Sequence, residues 1–547
     1  MSSAQEMIRN PDVQAAGTLD AIVIGAGFAG LYQLHTLRDK LGLNVRVLEA
    51  GGGVGGTWYW NRYPGARCDS ESYYYSFSFS DELQQEWGWT ERYPEHAEIR
   101  RYLNFVADKF DLKRNIQFNT RVVSARFDDA ATLWHVTTEA GETLSAPFLI
   151  TAVGCLSSTN IPKIPGLESF AGSWYHTGRW PHGDVDFTGK RVGLIGTGST
   201  GIQATPVIAA QAAHLTVFQR TANYSIPARN GPMSDDVQRE IKANYAAIRE
   251  KARNSTNGHP FDVSEVSALE PTPEDRLARY EEAWERGGLR FRATFKDLLT
   301  SKPSNDTAAE FIRAKIRNIV KDPAVAEMLT PKDHPFATKR PPIDSQYFET
   351  FNRDNVSLVD IKASPIVEIT PTGIRTQDAE YPLDIIVFAT GFDAMTGPLL
   401  AFDIRGHNDV ALKDAWAAGP RSYLGLQVAD FPNLFTITGP GSPSVLTNMP
   451  VAIEQHVDWI TQCIQHMRDK GLRRIEAQPD AAEKWVAHVN DAANATLLPQ
   501  ANSSWYLGAN VPGKPRVFMP YAGGMARYAG ICQDVVAKNY EGFVLSA

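Results

Sequence analysis

The residues best suited to chemistry fall into two matched sets. Gly25-x-Gly27-x-x-Gly30 follows the apolar run AIVI and leads into LYQLHTLRDK, and the next apolar run, VRVL, ends at Glu49. In this setting Gly25 permits a tight turn. Gly27 lets the backbone approach a pyrophosphate at a helix N-terminus, and Gly30 lets helix and strand pack closely. Glu49 is spaced to accept hydrogen bonds from a ribose hydroxyl, and its charge repels a 2′-phosphate, which favours FAD or NAD over NADP. The second set, Gly196-x-Gly198-x-x-Gly201, opens in RVGLIGTGSTG, and its following run LTVFQR ends in Arg220, then Thr221. A fixed, forked cation at that strand end suits a 2′-phosphate, so this site is expected to take NADPH. A flavin site beside an NADPH site is equipment for hydride transfer, with the redox chemistry carried by the cofactors.

Other reactive side chains are less self-explanatory. FAGSWYHTGRWPHG places His176, Arg179 and His182 between the two glycine sets. Arg340 stands beside two prolines and Asp69 follows a cysteine; by residue type alone one reads as surface and the other as solvated. The four cysteines, Cys68, Cys155, Cys463 and Cys532, include no CxxC pair. That argues against a disulfide framework, a cysteine-based metal site and a disulfide reductase, and it fits a reducing cytosol.

These residues require an α/β chain to position them. The spacing of Leu31, Leu34, Leu37 and Leu41 predicts an amphipathic helix after Gly30. PFLITAVG and LDIIVFATGFDA read as buried strands running into small residues, and LFTITGPGSPSVLTNMP as a strand entering a loop that can approach a cofactor closely. Residues 226–335 turn strongly charged and helical. Thr272 and Pro273 read as N-cap and first-turn proline, and Thr307 with Glu310 has capping-box spacing ahead of Ile312, Ile316, Ile319 and Val320. VSLVDI and IRTQ are expected to complete the second unit, and Ile453, Val457, Ile460 and Ile464 to form one face of a late helix. The expected organisation is two Rossmann-like dinucleotide-binding domains with a helical insert. A flexible arm occupies 1–18, the FAD domain 19–155 and 386–547, the NADPH domain 156–225 and 336–385, and the insert 226–335.

The chain has 547 residues, 43% of them hydrophobic and 21% charged, with a formal net charge of −8 and no basic block. Its composition argues against nucleic acid or an anionic membrane as a partner. No signal-peptide core or membrane-spanning run is seen, so a cytoplasmic protein is expected, as a monomer or weak dimer.

FAGSWYHTGRWP fits the pattern FxGxxxHxxxW followed by Pro or Asp, with Phe170, Gly172, His176, Trp180 and Pro181 as anchors. GGTWYWNRYPGARCD supplies a second pattern through Gly55, Gly56, Trp58, Tyr63, Pro64, Gly65 and Asp69. With both glycine sets in order, the chain resembles the type I Baeyer–Villiger monooxygenases from about residue 19 to its end. The likeness is stronger to phenylacetone and steroid monooxygenases than to cyclohexanone monooxygenase. The resemblance implies FAD, NADPH as donor and O₂ as co-substrate. A flavin C4a-peroxide then attacks a hydrophobic ketone, giving an ester or lactone. It implies no metal and no enzyme nucleophile, consistent with the lack of a GxSxG motif.

The resemblance also assigns residues. Arg340 corresponds to the cation that steadies negative charge at the reacting oxygen, and Asp69 to the carboxylate that positions it. Lys339, Trp505 and Trp58 fall at cofactor-binding positions. Cys155, Leu156, Ser444, Val445 and Leu446 fall at substrate-pocket positions. His176 and Trp180 would couple domain movement to the NADP state rather than touch the ketone. Pro341 and Pro342 depart from the family pattern and could re-aim Arg340, since two prolines restrict the backbone and remove two donors. An N- or S-oxygenating flavin monooxygenase and a non-enzymatic NADPH sensor remain as alternatives; a sensor would not need Arg340 with Asp69.

Overall fold

The structure, a computed structural model, describes residues 18–547. The expected arm over 1–18 lies, apart from Thr18, outside the described residues. Two five-stranded parallel sheets organise the rest. In the first unit β1 (Ala21–Ile24), α1 (Phe28–His35), β2 (Val45–Leu48), β3 (Ile116–Gln117) and β4 (Phe148–Thr151) follow one another. The sheet order is Leu434–Thr436, β4, β1, β2, β3, so a late strand closes one edge. Strands β1 and β4 are buried at every position, as parallel strands covered on both faces must be.

The second unit uses β5 (Ser173–His176), β6 (Arg191–Ile195), α2 (Ser199–Gln211), β7 (His214–Gln219), then, after the insert, β8 (Val356–Asp360) and β9 (Ile385–Phe388). Its order, β5, β9, β6, β7, β8, repeats the first sheet strand for strand. The edge strand β5 comes from the FAGSWYHTGRW stretch, which therefore belongs to the second sheet. Strand β9 spans both sides of the expected domain boundary at 385/386, and the chain leaves the second sheet only after Phe388. IRTQ also differs from expectation. Gly373–Thr376 joins Ile366–Thr370 and Glu380–Pro382 in a small antiparallel sheet outside the second one.

Within the insert, α3 (Pro273–Arg286) starts as the sequence predicts, with Thr272 Oγ1 accepting from the Asp275 amide at 3.1 Å. The next helix, α4 (Lys302–Ile319), begins five residues before Thr307. Its cap is Ser301, with Pro303 in the first turn, and Thr307 sits inside the helix, donating to the Ser304 carbonyl at 2.7 Å. Tyr280, Trp284, Phe291 and Phe311 form the insert's aromatic core, and Phe291 reaches Phe336 at 5.6 Å between centroids.

The helix after Gly30 is buried nearly all round, not amphipathic, and passes into a π-helical turn over Thr36–Lys40. The cause is α5 (Met449–Asp469), which lies against it: Tyr32 Oη donates to Asp458 at 2.7 Å and Thr461 Oγ1 to Thr36 Oγ1 at 2.9 Å. All four cysteines are free and buried. Among the described residues no helix is long and apolar enough to cross a membrane, and no His, Cys, Asp and Glu cluster could hold a metal.

Candidate functional site

The two glycine turns are built alike. Gly25 and Gly196 have φ +105° and +113°, and a Cβ on either would strike the carbonyl oxygen that ends the neighbouring strand, Ala152 or Ala389. A Cβ on Gly30 or Gly201 would strike the carbonyl of the turn's own first glycine. The middle glycines differ. A Cβ on Gly198 would face open space, whereas one on Gly27 would lie 3.4 Å from the Gly56 Cα, so the GGTW segment folds over the first turn. No side chain caps α1 or α2, leaving first-turn amides free for an anion.

Glu49 is buried at the end of β2. It accepts from the Ala26 amide at 2.7 Å and the Gly51 amide at 2.6 Å. A carboxylate offers about four acceptor positions, so capacity remains for a ribose hydroxyl. At the second turn Thr197 Oγ1 donates to the Thr221 carbonyl at 2.7 Å, and Arg220 is exposed just past β7. Burial, joined by the nearby Arg220 charge, lowers the Lys339 pKa, with Asp333 opposing. Neither Arg220 nor Lys339 has an ion-pair partner among the described residues. Two neighbouring free cations fit a dianionic phosphate, and the acid in the first unit fits a cofactor without one. The donor sets therefore suit FAD in the first turn and NADPH in the second.

Asp69 and Arg340, 271 residues apart in the chain, meet directly. Arg340 Nε donates to Asp69 Oδ2 at 2.5 Å, Nη2 to Oδ1 at 2.8 Å, and Nη1 to the Val445 carbonyl at 2.8 Å. Burial works to lower the Arg340 pKa, but the charge and hydrogen bonds of Asp69 outweigh it and raise the value. For Asp69 burial pushes upward, yet Arg340 brings the net shift below the usual carboxylate value. The pair is charged on both sides. The prolines that follow do not turn Arg340 away. The Pro342 carbonyl accepts from Ile226 N at 3.0 Å, and Ile343–Asp344 then pairs with Ile226–Pro227.

Around this pair the structure gathers the predicted pocket residues. Cys155 and Val445 share one apolar cluster with the partly buried Leu156, Leu446 and Trp505. Ser444 Oγ donates to the Met395 sulfur at 3.6 Å. Trp505 packs against Tyr506 with ring centroids 4.5 Å apart and the planes tilted by 57°. Trp58 lies deeper, in the first unit's core, with its indole N–H donating to Tyr75 Oη at 3.2 Å. Met395, Tyr506, His259 and Arg292 also border the site and carry no sequence signal, because only the packing of three distant segments puts them there.

His176 is buried at the end of β5. Its Nδ1 accepts from the Gly178 amide at 3.0 Å, and its Nε2 lies 3.3 Å from Thr390 Oγ1, which donates to the Asn160 carbonyl. Burial pushes its pKa down to about 4, so the ring is neutral and ties β5 to the loop after β9. Trp180 packs on Tyr175 and Phe187, and Gly172 leaves room for Phe170 and the Asp384 carbonyl. Pro181 is partly buried beside them.

Comparison with known proteins agrees with these cofactors. A family model described as flavin-binding monooxygenase-like matches residues 20–230. The chain is 47% identical over 528 residues to a Baeyer–Villiger monooxygenase of Pseudooceanicola batsensis, covering 96% of each chain. A solved structure described as oxidized steroid monooxygenase bound to NADP is 53% identical, with a TM-score of 0.92, over 97% of this chain and 100% of that one. A structure of OTEMO in complex with FAD and NADP is 43% identical with a TM-score of 0.94, again over 97% and 100%.

Proposed function

The chain belongs to the flavin-dependent Baeyer–Villiger monooxygenases, and from that premise we propose that Arg340, held by Asp69, is the group that stabilises negative charge as a hydrophobic ketone becomes an ester or lactone. The enzyme uses FAD and NADPH. Bound flavin, reduced by NADPH, supplies the activated oxygen from O₂. What the chain's own residues contribute follows from the guanidinium. It has five N–H donors, of which three are engaged by Asp69 and Val445. Two remain for the oxygen that gains charge in the reaction. Asp69 removes the cost of holding the cation in an apolar site and fixes its direction in advance, which is how a preorganised dipole or charge lowers a barrier.

The observation that carries this reading is the Asp69–Arg340–Val445 arrangement beside an apolar wall of Cys155, Leu156, Val445 and Leu446. That wall excludes water and favours a hydrophobic substrate. Ser444 adds a small polar position at its edge. On this reading Gly25, Gly27, Gly30, Glu49 and Trp58 serve FAD. Gly196, Gly198, Gly201, Arg220, Thr221, Lys339 and Trp505 serve NADPH.

Arg340→Ala is expected to retain FAD and to reduce it with NADPH, while ester or lactone formation falls by about 10²–10³. Product analysis with a ketone panel, alongside stopped-flow flavin reduction, measures both. Near-normal ester formation by the variant would remove Arg340 from this role, and oxidation of amines or sulfides with ketones untouched would replace the reaction itself.

A further inference from the structure

Arg292 lies in a short 3₁₀ turn, Leu289–Ala293. With three residues per turn, successive side chains leave in three directions. Arg290 Nε goes to Glu71 Oε1 at 3.2 Å, and Phe291 goes into the aromatic core against Phe336. Arg292 takes the third direction, toward the Arg340 site. There the Arg340 charge and burial lower its pKa, burial being the larger cause, and Tyr506 and Asp69 also act on it.

Its neighbours are matched and it is not. Arg340 has Asp69, and both Arg290 and Arg92 have Glu71. Arg292 has no ion pair or hydrogen bond with any described residue, and its Nε is buried without a partner. His259 supplies no compensation. Burial, then the Arg340 and Arg292 charges, hold its pKa down to about 3, so it is a neutral ring. One carboxylate therefore faces two arginines, and the site carries one unmatched positive charge. Arg292 is partly buried, with its Nε shut off from water and no partner for its charge, and an anionic ligand would complete that arrangement.

We propose that Arg292 receives a carboxylate on the substrate, so that the preferred ketones of this site have an apolar body and an acid remote from the carbonyl. The proposal rests on the reading that the pocket beside Arg340 takes the ketone. The apolar wall of Cys155, Leu156, Val445 and Leu446 would hold the body, and the planar fork of the guanidinium matches a carboxylate geometrically. A cofactor phosphate is the weaker match, because free cations already stand at the second glycine turn in Arg220 and Lys339.

The test compares 7-oxooctanoate with its neutral methyl ester in the holoenzyme. Kd is read by calorimetric titration of the oxidised enzyme with NADP⁺ present, and kcat/KM by product formation. The wild type is expected to favour the acid by about tenfold or more in both readouts. Arg292→Leu and Arg292→Gln should each lose that preference, and Arg292→Lys should keep part of it. No acid preference in the wild type, or an unchanged acid-to-ester ratio in the variants, overturns the proposal. So does a raised KM for NADPH with an unchanged ratio, which would give Arg292 to the cofactor. If the acid preference appears in Kd and depends on Arg292 but no oxygenated product forms, the anion receptor stands and the ketone reading of the pocket fails.

Discussion

A guanidinium with three of its five donors committed cannot swing freely, and this separates Arg340 from Arg220. Arg340 is fixed by groups from two other segments, whereas Arg220 is exposed and unpaired, free to close on a phosphate. Its contribution should appear as cofactor choice. Arg220→Ala is expected to lower the NADPH-to-NADH ratio of kcat/KM by about tenfold or more, with the NADH value little changed. An unchanged ratio would remove Arg220 from the 2′-phosphate. Residues differ in how far the sequence announces them for the same physical reason. Glu49 and Arg220 stand at fixed offsets from glycine turns, so local geometry dictates their place. Arg340 beside its prolines, and Asp69 after a cysteine, gain meaning only from contact across 271 positions, and family likeness alone pointed to them. Arg292 is harder still, since its defining property is the lack of a partner, which no spacing records.

At the scale of elements, the Ile226–Pro227 and Ile343–Asp344 strand pair leads directly out of the Arg340 segment and contains a buried acid. Asp344 accepts from Ser225 Oγ and, at 3.2 Å, from the Tyr347 amide. Burial pushes its pKa up to about 6 from 3.8, against those hydrogen bonds. The folded state thus keeps a proton that the unfolded chain releases. The associated stability is complete below about pH 4, is lost as pH rises through about 6, and amounts to roughly 3 kcal/mol across that window. Asp344→Asn should not show this slope. Its thermal stability relative to the wild type should improve between pH 4 and pH 8, and a constant difference across that range would reject the assignment. Elements were legible where one strong local signal stood alone, as at Thr272-Pro273. They were not where signals competed. Thr307 with Glu310 has capping-box spacing but lies inside α4, because Ser301 with Pro303 opens the helix earlier and a hydroxyl within a helix can bond back to a preceding carbonyl. The helix after Gly30 reads as one-sided only until α5, more than 400 residues later, covers its other face.

Across the whole molecule, the repeated strand order shows why two glycine sets could be read so early. Each is the centre of the same sheet, and each needs the same carbonyl, Ala152 or Ala389, against a side-chain-free turn. What joins the units was invisible, since it consists of long-range polar contacts. Arg249, buried in the insert, donates to the Tyr74, Ser76 and Phe77 carbonyls and to the Ser76 and Gln84 side chains. Arg249→Met strands those acceptors and is expected to cost about 3 kcal/mol or more of stability, measured by denaturant unfolding, without altering the NADPH-to-NADH ratio. A loss below about 1 kcal/mol would mean the insert is held by its apolar contacts alone. The buried cysteines bear on a different matter, the enzyme's working lifetime. An oxygen-activating catalyst that misses its ketone releases hydrogen peroxide, and thiolates are what peroxide attacks first. Burial raises the pKa of all four thiols, with Cys155 at about 11 and Cys532 at about 12, so almost none is ionised at neutral pH. The vulnerable group is instead the buried thioether of Met395, which accepts from Ser444 Oγ at the pocket wall, where conversion to the sulfoxide would put a polar group in the path of the substrate. Wear during futile turnover should therefore register as a narrowing of the pocket before it registers as unfolding.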